Sequence, residues 1–279
     1  MTDRVLLTGA TGFVGRQVLR SLRDRGCSVR IVVREESQNG FTHLDNDLEV
    51  VTTTDLFSAN DAWYVQVCQD VDTIIHVAWK VEPRTYLQSA KNLDCLVGTL
   101  ALARGAVAAG VRRFVGIGTC FEYDFSGGKL YEDTPLRPLT PYAGAKAAAF
   151  MALSQWLPSQ HVEFAWCRLF YLYGEGENEL RFVPYLRGKL AAGEPAELTS
   201  GTQIRDYLDV QRAGEQIVDV ALGQDKGPVN ICSGVPISIR ELAEKIADEY
   251  GQRQLLRFGA RPENQTDPPV ILGIRKKSA

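Results

Sequence analysis

Thr8-Gly9-Ala10-Thr11-Gly12-Phe13-Val14-Gly15 is the stretch on which the fold turns. It follows the apolar run Val5-Leu6-Leu7. It opens a helical pattern that carries Val18, Leu19 and Leu22 on one stripe and stops at Gly26. Glycines at three-residue spacing between a strand and a helix permit a tight turn, close approach of backbone to a pyrophosphate, and close packing of helix on strand. The anion would rest on the free N–H groups of the first helical turn, where the helix dipole favours negative charge. Gly9, Thr11, Gly12, Phe13, Val14 and Gly15 are therefore expected to line a dinucleotide site.

The second strand, Val29 to Val33, is followed by Arg34. An acidic residue there would bond the adenosine ribose hydroxyls of NAD, whereas an arginine fork suits a 2′-phosphate. The reading is NADP(H), with NAD as the alternative, because Glu35 and Glu36 dilute the positive field. Asp55-Leu56 follow the third strand, Leu48 to Val51. The carboxylate can accept from an adenine amino group or simply cap a turn, and both readings stand.

Working outward, further strands are expected at Thr73 to Val77, Phe114 to Ile117 and Phe164 to Leu169. They alternate with a helix from Leu87 to Ala109 and one over 141–157, entered through Thr140 and Pro141 and closing before Pro158. This alternation predicts an α/β fold, a Rossmann-type doubly wound parallel sheet, over residues 1–172. After residue 173 the Gly, Pro and Glu content rises, marking a smaller C-terminal α/β substrate lobe over 173–279. Residues around 204–232 are expected to complete the sheet, with Val229-Asn230-Ile231 returning to it. Ser238 to Tyr250 reads as a helix with Glu241 at its third position.

Composition excludes several classes. The chain is 45% hydrophobic and 23% charged with net charge −3, which argues against disorder and against nucleic-acid or anionic-membrane binding. No apolar run reaches the ~18 residues of a membrane span, and the N-terminus shows no leader pattern, so the cytoplasm is expected. The 6 cysteines contain no Cys-x-x-Cys pair and read as reduced core thiols. His43, His76 and His161 show no ligand spacing, and His76 lies in the apolar run Ile74 to Val77. No metal site is expected.

Tyr142 and Lys146 stand four apart at the start of an alanine-rich helix, on one face. An ammonium beside a phenol, whose resting pKa is ~10, stabilises the phenolate and so equips the pair for proton exchange next to a hydride transfer. Tyr185 and Lys189 have the same spacing, so spacing alone does not choose.

The order of the parts does. Thr8-Gly9-x-x-Gly12-x-x-Gly15, Asp55-Leu56, His76-Val77-Ala78, Gly98-Thr99, Thr119 with Tyr123, Pro141-Tyr142-x-x-x-Lys146, Arg168 with Tyr173-Gly174, and Arg205-Asp206-Tyr207 together resemble the extended short-chain dehydrogenase/reductase family. This is the branch that modifies nucleotide sugars. The resemblance implies a triad in which Thr119 bonds the substrate oxygen, Tyr142 is the acid/base, and Lys146 binds the nicotinamide ribose and lowers the tyrosine's pKa. It also implies that Asp55, Leu56, Val77 and Ala78 join Arg34 and the glycine loop on the cofactor side. Thr119, Cys120, Tyr171 and Arg205 fall to the substrate side, with Arg205 either clamping a diphosphate or held in a structural ion pair.

The departures narrow the chemistry. Family members that eliminate water carry Asp and Glu directly after the catalytic Ser/Thr; here those places hold Cys120 and Phe121, and Glu122 comes one residue late. Glu122 is expected to point elsewhere if the segment is extended. Cys95 and Tyr171 stand where the family usually has asparagine, and Trp79 replaces a small residue after Ala78. The chain also stops sooner after Leu272-Gly273 than most relatives, so the second lobe is expected to be shortened. The segment Gly118 to Tyr123 looks similar to CDP-linked dideoxyhexose synthases. The expected function is NADPH-dependent reduction of a nucleotide-linked 4-keto-6-deoxy sugar. The alternatives are a 4-epimerase holding NAD tightly, or a non-catalytic dinucleotide sensor. A homodimer through helices 87–109 and 141–157 is expected, as in such relatives.

Overall fold

Short β-branched runs buried on both faces can only pair side by side under helices, and that is what the chain does. The computed structural model describes residues 4–37, 48–264 and 267–276; His43 lies outside them. From the first half come β1 (Arg4–Thr8), α1 (Phe13–Asp24), β2 (Ser28–Arg34), β3 (Leu48–Thr53), α2 (Asp61–Cys68), β4 (Thr73–His76), α3 (Lys91–Ala108) and β5 (Arg113–Thr119). The middle adds β6 (Lys129–Leu130), α4 (Pro141–Ser159), β7 (Glu163–Leu169), β8 (Tyr171–Tyr173), α5 (Phe182–Ala191) and β9 (Ala196–Leu198). The remainder is β10 (Ile204–Asp209), α6 (Val210–Leu222), β11 (Gly227–Ile231), β12 (Pro236–Ser238), α7 (Ile239–Glu249), β13 (Leu256–Phe258) and β14 (Val270–Gly273).

The central sheet has 7 parallel strands in the order β11-β7-β5-β4-β1-β2-β3. Its two faces are covered separately. Val18, Leu19 and Leu22 of α1 and Ile217 and Val218 of α6 pack on one face against Leu7, Ile31 and Ile75. On the other face Tyr64 of α2, Leu102 of α3 and Leu153 of α4 meet Leu6, Ile74 and Phe114. Within the stretch around 204–232, β11 joins this sheet beside β7. β10 instead centres a second sheet, paired with β12, β14 and β8. A third apolar cluster, with Leu186 of α5 and Ile246 of α7, packs over β9 and β13. Ser238 and Glu241 cap α7 reciprocally, as the sequence pattern requires.

Several strand ends shift by one or two residues, and two helix boundaries differ from expectation for reasons the local bonding shows. The helix foreseen over 87–109 begins at Lys91, because Ser89 is extended and ends a separate turn over Tyr86–Gln88. The buried Asn92 amide donates to Tyr86 O (2.6 Å) and Ser89 O (2.8 Å), tying that break together. α4 does not close before Pro158 but runs through it to Ser159. It ends where His161 takes a positive φ of 60°, with His161 N bonding Pro158 O and Val162 N bonding Leu157 O, each at 3.0 Å.

Candidate active site

The strand order reverses direction between β1 and β4, and ligands of open α/β sheets bind at such a point, at the C-terminal strand ends. Gly9 turns the chain there with φ 78°, and a Cβ on it would lie 2.7 Å from Ala78 N. At Gly15 a Cβ would sit 1.9 Å from Gly9 O, so α1 can press onto the loop only without one. Gly12 is the N-cap of α1 with no side-chain cap, and the first turn carries no acidic residue. The first-turn N–H groups of Phe13, Val14 and Gly15 thus have no helical partner and favour an anion. A cradle that a single Cβ would fill fits a dinucleotide pyrophosphate.

Val77 N bonds Thr8 O (3.2 Å), and Ala78 N donates to Thr8 Oγ1 (3.3 Å). Thr8 Oγ1 lies 2.8 Å from His76 Nδ1, and His76 Nε2 lies 2.9 Å from Thr99 Oγ1, which donates to Cys95 O. Since Thr99 has given its proton to Cys95 O, it accepts from His76 Nε2–H, and His76 Nδ1 accepts from Thr8. Burial, with Lys146 nearby, pushes His76 down to about 3, so it stays neutral. This histidine is a satisfied strand-end residue that pins the two loops together. Among the described residues no group of three His, Cys, Asp or Glu could hold a metal.

Arg34 ends β2 exposed, paired with Glu36 Oε1 at 2.8 Å. Asp55 caps the turn at Leu56 by accepting from Phe57 N (3.0 Å), and its other oxygen takes Lys80 Nζ at 2.8 Å. Burial works to raise the Asp55 carboxyl, but Lys80 and the Phe57 amide outweigh it and hold it below its usual range.

Thr119 closes β5 next to the parallel strand β7. The chain then turns at once, over Cys120–Glu122, instead of staying extended. Thr119 Oγ1 accepts from Phe121 N, and Glu122 Oε1 accepts from Thr119 N at 2.8 Å. Glu122 also takes Trp166 Nε1 (3.0 Å) and Arg168 Nε (2.7 Å), both buried. The segment is therefore not extended as the expectation for Glu122 supposed, and the carboxylate is committed to these three donors as the third residue of a capping box. Gly118 makes room for it: a Cβ there would lie 2.4 Å from Glu122 Oε1 and 2.2 Å from Trp166 Nε1.

α4 enters through Thr140, whose side chain caps Ala143 N, and this brings Tyr142 and Lys146 against the end of β5. The Thr119 side chain acts on the Tyr142 phenol. Burial pushes that phenol up, with Tyr86 and Glu122 adding to the rise and the Thr119 side chain opposing it. Lys146 is buried; Nζ donates to Ile117 O at 2.6 Å and stands 3.7 Å from the Trp79 ring centroid. Burial pushes Lys146 down to about 7 against the pull of Glu122 and Cys95. Trp79 and Tyr86 meet the Tyr142 ring edge-on, at 6.3 Å and 4.9 Å. The sequence named Trp79 only as the replacement of a small residue and did not single out Tyr86 or Lys80.

On the other wall Cys120 is buried, its thiol pushed up by burial and then by Glu122. Phe121 packs against Tyr171 (6.3 Å), and Tyr171 against Tyr207 (5.5 Å). Arg205 lies under Tyr171, is 2% exposed, donates to Ile204 O, and pairs with Asp267 at 2.6 Å. Asp206 is committed elsewhere, accepting from Ser233 N, Gly234 N and Gly273 N. The structure thus gathers Thr119, Cys120, Tyr142 and Lys146 at one strand edge. It sets Tyr171 and Arg205 on the second sheet and Arg34 out at the end of β2. Tyr185 and Lys189 are tied instead to Arg261 and Glu194.

A doubly wound sheet with a glycine cradle and a Tyr/Lys pair at the strand ends defines a dinucleotide-dependent oxidoreductase of the short-chain type. The chain belongs to the NAD dependent epimerase/dehydratase family, whose pattern matches residues 5–232. It is 24% identical over 279 residues to dTDP-6-deoxy-L-talose 4-dehydrogenase (NAD(+)) of Aggregatibacter actinomycetemcomitans, covering 97% of this chain and 99% of that one. It is also 24% identical over 270 residues to CDP-abequose synthase of Salmonella muenchen, covering 93% and 85%. Among solved structures, MoeE5 in complex with UDP-glucuronic acid and NAD superposes with a TM-score of 0.80 at 27% identity, over 98% of this chain and 90% of the other. The chain is accordingly an NAD(P)-dependent, nucleotide-sugar modifying enzyme of this family. Among the described residues no helix is long and apolar enough to cross a membrane.

Proposed function

We propose that the chain reduces a nucleotide-linked 4-keto-6-deoxy sugar with NADPH, using Thr119, Tyr142 and Lys146. The observation that carries this reading is the fate of the carboxylate beside the site. Glu122 is buried and committed to Thr119 N, Trp166 and Arg168, while Cys120 and Phe121 occupy the two places after Thr119. Dehydration of a hexose needs a second acid and base there, and these side chains supply neither. A carbonyl reduction needs only one proton.

Bound on the glycine cradle, the dinucleotide would supply the hydride. Tyr142, kept protonated by burial, holds a proton at Oη for the substrate's C4 oxygen, and a developing alkoxide is a stronger base than a phenolate. Thr119 Oγ1 accepts from Phe121 N, so its own proton, which acts on the Tyr142 phenol in the free site, would turn to orient that same oxygen. Lys146, charged, offsets the phenolate left behind. Arg205 would have to leave Asp267 to clamp a diphosphate. The dehydrogenase relative's name describes a C4 oxidation, the reverse of this step.

The same triad suits a 4-epimerase, a class that the family's own description includes. Such an enzyme would hold NAD and consume no cofactor. Supplying NADPH with keto-sugar nucleotides and following the reduced nicotinamide separates the two: steady consumption supports the reductase, and none contradicts it.

Arg34 supports the choice of NADPH, since an exposed pair such as Arg34–Glu36 is worth at most ~1 kcal/mol and yields readily to a phosphate. Arg34→Ala is expected to lower kcat/KM for NADPH roughly tenfold while leaving NADH nearly unchanged. Steady-state kinetics with both cofactors checks this, and an equal loss for both would argue against a 2′-phosphate contact.

We further infer a homodimer through α3 and α4. Leu93 and Val97 of α3 and Met151 of α4 stand 62%, 64% and 61% exposed, while the two helices pack against each other. An apolar strip of this kind marks an interface. Light scattering should give twice 30.9 kDa, and a monomer would refute the inference.

A further inference from the structure

We propose that Trp79, locked by Asn92, is a positioning residue for the Tyr142–Lys146 pair. The inference rests on the reading of that pair as the acid/base machinery. Trp79 Nε1 donates to Asn92 Oδ1 at 2.8 Å, and Asn92 spends its own amide protons on Tyr86 O and Ser89 O. Every polar atom of this buried amide is therefore used, and the indole has one orientation. Its face lies 3.7 Å from Lys146 Nζ, and its edge meets the Tyr142 ring at 82°. One side chain thus touches both members of the pair.

Lys146 needs that face. The nearest carboxylate, Glu122, is committed to Thr119 N, Trp166 and Arg168. The other titratable groups around the ammonium are Cys95 on α3, His76 at the end of β4, kept neutral, and the phenol of Tyr142 on α4 itself. None of these pairs with the ammonium. Its protein hydrogen bond goes to a neutral carbonyl, Ile117 O. A π-face within ~6 Å attracts a cation, most strongly where water is excluded. With a small residue at position 79, the buried ammonium would keep the carbonyl and only the far weaker contact with the Trp166 ring, whose centroid lies 5.9 Å away.

Charged Lys146 is the form that assists Tyr142, so activity falls as pH rises through the lysine's pKa. Removing the ring disfavours the charged form and moves that loss to lower pH. The test compares Trp79→Leu, Trp79→Phe and Asn92→Ala with the native enzyme. The readouts are the pH profile of kcat, the KM for dinucleotide, and an NMR titration of protein carrying carbon-13 lysine, with Lys146→Met assigning the signal.

Trp79→Leu is expected to lower the Lys146 titration and the alkaline limb of kcat by about one pH unit, with kcat down about tenfold and KM within about twofold. Trp79→Phe, which keeps a ring face, should restore the titration and most of kcat. Asn92→Ala should fall between. A titration in Trp79→Leu that coincides with the native one overturns the proposal, as does a loss confined to KM. The titration needs no turnover, so it decides the role of Trp79 even if Tyr142→Phe stays fully active and the acid/base reading itself fails.

Discussion

Tyr142→Phe is expected to lower kcat by on the order of 10²–10⁴-fold while the protein stays folded and binds dinucleotide as before. The hydroxyl is the only group removed. Thr119, whose side chain acts on that hydroxyl, keeps its bond from Phe121 N. The ring keeps its edge contacts with Trp79 and Tyr86, so packing is preserved. The cofactor cradle lies across the β1–β4 edge and is built from backbone, which this substitution does not touch. The loss should therefore appear in kcat and not in cofactor affinity. Kinetics together with a dinucleotide titration checks it. Weakened cofactor binding with kcat retained would mean that Tyr142 serves only to shape the pocket.

Gly15→Ala should abolish dinucleotide binding and destabilise the fold by about 3 kcal/mol or more. On helix propensity alone the change would favour α1 by about 1 kcal/mol. The packing decides otherwise. An added Cβ would stand 1.9 Å from Gly9 O and 2.6 Å from Gly9 C, both backbone atoms that no rotamer change can clear. Either α1 lifts off the loop or Gly9 leaves its turn, and Gly9 also lies against Ala78. Each adjustment spoils the geometry that aims the first-turn N–H groups of α1. Thermal unfolding with and without dinucleotide reads both effects. A variant with native stability and native cofactor affinity would mean that the Gly9–Gly15 contact does not shape the cradle.

Much of this architecture was legible because its signals are local. A glycine loop between a buried strand and an amphipathic helix has few other uses, and the strands of a parallel sheet show as unbroken apolar runs. Tyr142 could be separated from Tyr185 through order along the chain, and the structure then ties Tyr185 to Arg261 and Lys189 to Glu194.

What escaped the sequence depends on partners far along the chain. Arg205 meets Asp267, and Glu122 meets Arg168, and no spacing rule joins such pairs. The break before α3 is held by the side chain of Asn92, which a propensity reading places inside a continuous helix. Pro158 is tolerated in the last turn of α4 because a left-handed His161, not the proline, ends that helix. Trp79 read as a bulky replacement. Only its distances to Lys146, Tyr142 and Asn92 give it a part in the chemistry.

Isotope transfer tests the proposed carbonyl reduction most directly. The protein is supplied with NADPH deuterated at the transferable position of the nicotinamide and with a nucleotide-linked 4-keto-6-deoxyhexose, and the product is read by mass spectrometry. Reduction at C4 gives an alcohol carrying one deuterium, formed in step with NADP⁺ and lost in Tyr142→Phe. A sugar product without deuterium, or one inverted at C4 with no NADPH consumed, would contradict it.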